Sequence, residues 1–176
     1  MKKDKKVHRH PAAVCFGVLG TTLLIMLLVC CLPLTVPRLF GYHIYSVISG
    51  SMEPELPVGS LIYIRETVPE EITEGEIIAF YGAGESDTAS IITHRVLENR
   101  VVMGELITKG DANERADHYP VPYGNVIGKT VYAIPRAGIA AELLTSMTGK
   151  LLAGCAIGAA MLLHGLAALI DRFNRR

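Results

Sequence analysis

Three short segments of this 176-residue chain carry side chains suited to nucleophilic chemistry. In the first, Val47-Ile48-Ser49-Gly50-Ser51-Met52-Glu53-Pro54, a β-like run ends at Ser-Gly-Ser and meets a proline turn. A serine at such a corner can present its hydroxyl to solvent while neighbouring backbone N–H groups face the same space. That supplies a nucleophile and an oxyanion site together. Ordinary turns use the same residue types, so the segment alone decides nothing. The second segment, Ile91-Ile92-Thr93-His94-Arg95-Val96, reads as a strand in which alternation puts Ile92, His94 and Val96 on one face. A histidine there is either a hydrogen-bonded core residue or a general base; as a base it requires a hydroxyl nearby and a third group to hold its tautomer.

The third segment, Ile107 to His118, ends a strand in a polar loop holding Asp111 and Asp117, and either carboxylate could orient a histidine. Residue type does not choose between them. Asp111, just after Gly110, suits a turn or a brace for Arg95 or Arg115, whereas Asp117 has more reach. A metal site from His94, Asp111, Asp117 and His118 lacks a recognised ligand spacing, and no metal or other cofactor is expected.

These segments need a scaffold. Short runs rich in Val, Ile, Tyr and Thr at Tyr42–Ser49, Ser60–Glu66, Glu76–Tyr81, Ser90–Glu98, Arg100–Val102, Glu105–Thr108 and Val126–Pro135 read as strands. Turn signals separate them at Glu53-Pro54, Pro57-Val58-Gly59, Gly82-Ala83-Gly84 and Pro122-Tyr123-Gly124. No repeated strand–helix alternation appears, so the expected fold class is mainly β, an antiparallel, barrel-like domain.

The ends are different. Half of the residues are hydrophobic and only 19% charged, because two apolar runs flank the middle. Residues 12–34 carry no charge and are long enough to span a bilayer; residues 151–170 repeat the pattern with His164 as the one titratable group besides Cys155. The first run is longer than a cleavable signal's apolar core and lacks a clear small-residue cleavage site, so an uncleaved signal anchor is expected. Lys2, Lys3, Lys5, Lys6 and Arg9 precede it, and Arg172, Arg175 and Arg176 follow the second run. Both basic ends favour the cytoplasm. The expected layout is a cytoplasmic head at 1–11, a span at 12–34, an extracytoplasmic domain at 38–150, a span at 151–170 and a cytoplasmic tail at 171–176. Gly154 and Gly158 form a G-x-x-x-G pair that either seats another helix, such as the first span, or reflects the abundance of glycine in membrane helices. All four cysteines lie in the apolar ends, which excludes a disulfide, a cysteine nucleophile or a cysteine zinc site in the middle domain. Zero formal net charge gives no global electrostatic case for nucleic acid as a partner.

The boxes Ser49-Gly50-Ser51-Met52-Glu53-Pro54, His94-Arg95-Val96 and Lys109-Gly110-Asp111-Ala112-Asn113 through Asp117 resemble, in order, those of the signal peptidase I family. His94 stands where the ordinary bacterial branch has lysine, so the resemblance is to the branch of the endoplasmic reticulum, archaea and some Gram-positive bacteria. Glu55 departs from the family's usual threonine. The resemblance implies a membrane serine endopeptidase that removes signal peptides from secretory preproteins. Within it Ser51 is the nucleophile, Ser49 and Ser51 supply the oxyanion site, His94 is the base and Asp117 completes the triad, with Asp111 as second candidate. It also implies small residues one and three positions before the cut. Membrane lipid is the expected surrounding, partner subunits are left open, and a bacterial plasma membrane is favoured over the endoplasmic reticulum. The rival reading is an inactive membrane-anchored binding or assembly subunit with a protease-like domain.

Overall fold

A computed structural model describes residues 10–82 and 90–174. The head residues Lys2 to Arg9, the turn residues Ala83 and Gly84, and Arg175 and Arg176 lie outside the described residues. The chain divides into two compact units, one made of the terminal segments up to Pro33 and from Leu144, the other of Leu34–Leu143.

The second unit is built on one seven-stranded antiparallel sheet, as expected from the sequence. Its strands are β1 (Tyr42–Ser46), β2 (Leu61–Arg65), β3 (Ile77–Tyr81), β4 (Ile91–Arg100), β5 (Glu105–Lys109), β6 (Val121–Pro122) and β7 (Val126–Ile134), in the order β1-β2-β7-β3-β4-β5-β6. The register slips between Tyr63 and Ile64, between Ala79 and Phe80, and between Val96 and Glu98. Each slip is a bulge that bends its strand and tightens the twist. The sheet curls into a half-barrel, and Tyr45 and Ser46 of β1 come to line the same cleft as Ile91 to Thr93 of β4.

Hydrophobic alternation explains which faces are buried. Ile78, Phe80, Val96, Leu106 and Val121 form one core cluster with Ile72, while Ile62, Ile64 and Ala79 join Met52 and Leu56 in a second. β2 is buried on both faces, because Leu61 and Tyr63 pack against Ala141 of a short helix α2 (Ala137–Thr145) that the strand pattern did not reveal.

Two strand expectations need correction. The run read as a strand at Arg100–Val102 is the end of β4 and its hairpin turn: the N–H groups of Met103 and Gly104 donate to the Arg100 carbonyl at 2.9 and 3.0 Å. The valines there have β propensity, but closing the β4–β5 hairpin overrides it. β1 stops at Ser46 by regular pairing, although hydrogen bonds between Val47 and both Ser60 and Gly59 prolong the contact with β2.

In the first unit, α1 (Pro11–Leu39) and α3 (Met147–Asn174) are each long and apolar enough to cross a membrane. Both helices outrun their expected spans, and α1 continues through Pro33 and Pro37. Their contact does not use the G-x-x-x-G pair, since a side chain added at Gly154 or Gly158 would meet nothing within 4 Å. It uses Gly20: a Cβ there would lie 3.1 Å from the His164 ring and 3.2 Å from the Ala160 carbonyl. The small residue that admits the neighbouring helix is thus on α1.

Candidate functional site

Ser51 sits at the head of a helical turn that follows β1. The N–H of Leu56 donates to the Met52 carbonyl at 2.8 Å, and Glu53 N–H to the Gly50 carbonyl at 3.1 Å. Met52 and Leu56, both nearly fully buried, pin this turn into the core. The Ser51 hydroxyl is left beside the sheet, with the Ser49 hydroxyl oxygen 3.4 Å away.

His94 lies on β4 opposite Ile78 and is 8% exposed. Its ring meets Phe80 edge-on, with centroids 6.2 Å apart. Nδ1 is 2.6 Å from Asp117 Oδ2, and Nε2 is 3.2 Å from Ser51 Oγ. An ionised carboxylate only accepts, so Nδ1 carries the proton and Nε2 is left to accept from the serine hydroxyl. This is the tautomer a base toward Ser51 requires.

Asp117 is fixed in turn by β5. Its N–H donates to the Thr108 carbonyl at 2.8 Å, and the Thr108 hydroxyl donates to Asp117 Oδ2 at 2.6 Å. Thr108 is completely buried. The sequence reading passed over it, yet a signal exists: Leu106 and Thr108 alternate onto the buried face of β5, and a buried hydroxyl needs a partner.

Asp111 points elsewhere. Its two carboxylate oxygens accept from Arg95 Nε at 2.8 Å and Nη2 at 2.5 Å, while Arg95 Nη1 donates to the Gly75 carbonyl at 2.8 Å. The hydrogen-bonded guanidinium holds the Asp111 carboxyl below the usual carboxylate range, and Asp111 raises the Arg95 pKa above its ordinary value. His118 stacks edge-on against Tyr119 with centroids 4.7 Å apart. Among the described residues, no three His, Cys, Asp or Glu side chains converge as a metal site would need.

One backbone bond joins the serine turn to the aspartate loop: Ala112 N–H donates to the Ser51 carbonyl at 2.9 Å. The approach is so close that a Cβ at Gly110 would fall 2.6 Å from the Ser51 carbonyl oxygen and 3.0 Å from His94 Nε2. Only glycine fits between them.

A cleft of about 480 Å³ opens from Ser51, lined by apolar residues including Tyr45, Val47, Leu56, Ile62 and Ile92. Among the described residues, β1 pairs only with β2, and β5 pairs with β4 only from Arg95 onward. Tyr45–Val47 on one side and Ile91–Thr93 on the other therefore face the cleft with a strand edge unpaired.

Fold and site together define a class: an antiparallel half-barrel with a serine hydroxyl, a histidine and an aspartate in one hydrogen-bonded line, in a chain with two helices able to cross a membrane. No protein-family model matches the chain. Over 93 residues it is 42% identical to signal peptidase I W of Bacillus subtilis (strain 168), a match covering 51% of this chain and 47% of that protein. The chain thus spans about half the length of that relative. This likeness and the two apolar helices point to a membrane protein.

Proposed function

We propose that this chain is a membrane-bound serine endopeptidase that removes signal peptides from secretory preproteins. The observation that carries the proposal is the line Ser51–His94–Asp117, whose serine opens on an apolar cleft flanked by two strands that each leave an edge unpaired. The likeness to a signal peptidase supports the substrate class.

In this reading an extended substrate enters the cleft and pairs with β1 and with the first half of β4, which fills the gap in the half-barrel. Alternate side chains then turn into the apolar lining. Ser51 Oγ attacks the scissile carbonyl as His94 Nε2 takes its proton, and the negative oxygen is held by the Ser49 hydroxyl and the Ser51 N–H. The imidazolium, steadied by Asp117, gives its proton to the leaving amine. Water then releases the acyl-enzyme by the same base. No step calls for a metal. The helices α1 and α3 hold the enzyme in the membrane where the apolar helix of a signal peptide also lies, with the β domain outside and both basic ends in the cytoplasm. A bacterial plasma membrane is the proposed location.

The test is cleavage of a preprotein in detergent. Wild type should process it and Ser51→Ala should not, whereas Ser49→Ala should lose about 10²–10³-fold, the effect of one oxyanion donor. Processing by Ser51→Ala at the wild-type rate would remove the serine mechanism.

A further inference from the structure

A second cavity, of about 450 Å³, borders His94. Its lining includes His94 and Asp117 together with Phe80, Ile92, Tyr119 and Pro120, and does not include Ser51. The first cleft has the reverse pattern, touching Ser51 but not His94. Ile92 lines both and stands as the partition between them.

Acyl transfer gives the two spaces different occupants. The Ser51 Oγ–carbonyl bond forms as the peptide C–N bond breaks, and the proton that His94 Nε2 took from the hydroxyl passes to the departing nitrogen. That nitrogen must come within hydrogen-bond reach of Nε2. The acyl side of the substrate is therefore left on Ser51 and the departing side begins at His94. Resting on the peptidase reading, we infer that the cavity bordering His94 binds the first residues of the departing chain and favours a large apolar or aromatic side chain among them.

The chemistry of the walls fits that occupant. Phe80 is almost fully buried behind the cavity, while Tyr119 at its edge is 72% exposed, with its ring braced by His118. An exposed tyrosine offers a wide apolar face with a polar tip and few torsions to freeze. The volume lies in the range of small ligand pockets, which is room for one or two side chains.

A series of preproteins identical up to the cut, with glycine, leucine or phenylalanine as second residue after it, tests the assignment. Wild type should show kcat/KM about tenfold higher for leucine and phenylalanine than for glycine, the scale of filling a hydrophobic pocket. Tyr119→Ala should erase most of that preference, bringing the leucine and phenylalanine rates down toward the glycine rate. Equal wild-type rates across the series would overturn the inference, as would a Tyr119→Ala variant that slows all three equally. A wild type that cleaves none of them overturns the peptidase reading, and this assignment with it.

Discussion

Replacing Asp117 and Asp111 by asparagine, one at a time, should give two different injuries whose sizes follow from their contacts. At Asp117 both donors, Thr108 Oγ1 and His94 Nδ1, reach the same oxygen, Oδ2. An asparagine with its amide oxygen there keeps both bonds and loses only the charge. Two unit charges about 4 Å apart at an effective dielectric of about 20 interact by about 4 kcal/mol. That stabilisation is felt only when His94 is an imidazolium, during transfer of the proton, so turnover should fall about 10³-fold with little change in thermal unfolding.

At Asp111 the loss is structural. Its carboxylate is mostly buried, 17% exposed, and its forked bond with Arg95 at 31% is neither a free surface pair nor a fully buried one. Breaking it should cost about 2 kcal/mol, between the two extremes. For a unit of about 110 residues that is a drop of about 8 °C in Tm. Because Arg95 depresses the Asp111 carboxyl in the folded protein, the pair's contribution is complete above the unfolded value of about 3.9 and fades as pH falls through the lower folded value. The gap in Tm between wild type and Asp111→Asn should thus be widest near neutrality and narrow below about pH 4. Turnover by a preprotein assay and unfolding in detergent, on both variants, decide the matter. An Asp111→Asn protein with normal Tm and 10³-fold slower turnover, beside an active Asp117→Asn, would transfer the orienting role to Asp111.

Thr108→Val should lower turnover about 10–100-fold, the loss of one hydrogen bond to a charged acceptor, with KM little changed. Thr108→Ser should recover most of the rate, and a serine variant as slow as the valine one would reduce Thr108 to a packing residue. In a background without the four native cysteines, a cysteine at the fully exposed hairpin residue Val102 should react with an impermeant label on intact cells, while one at Asn174 should not. Labelling of Asn174→Cys in intact cells would reverse the topology.

How far the site could be read from sequence depended on whether a local rule reached the residue in question. Alternation along β4 puts Ile92, His94 and Val96 on one face, and the two fully buried positions of the strand, His94 and Val96, both lie on it. No such rule separates Asp111 from Asp117, because the loop between β5 and β6 has no period; what separates them is that Arg95 and Thr108 lie on adjacent strands in the Arg95↔Lys109 and Val96↔Thr108 register. The two-residue β6 is too short to carry a pattern, and α2 follows a residue in left-handed backbone, Arg136, with no charged residue in its first turn to announce it. The G-x-x-x-G pair leaves open whether it seats a helix, and the contact between α1 and α3 is made at Gly20 instead, which belongs to no such pair.

In the proposed mechanism the nucleophile and its base come from separate segments, and the strength of their alignment rests on what ties those segments together. His94 is set by pairing with β3, one residue before β4 joins β5, and Asp117 by two bonds to Thr108, so both side chains belong to the rigid sheet. Ser51 does not: its turn follows the end of β1 and is held by the packing of Met52 and Leu56 into the core. Packing fixes depth better than it fixes direction. The lateral position of the hydroxyl against Nε2 is governed by the single bond from Ala112 to the Ser51 carbonyl and by the absence of a side chain at Gly110. Shifting reacting groups by about 1 Å can cost about 10²-fold in rate. The loop that delivers the orienting aspartate therefore also aligns the serine, which is why disturbing the Asp111–Arg95 brace at its base should slow turnover even though neither residue touches His94 or Ser51 by hydrogen bond.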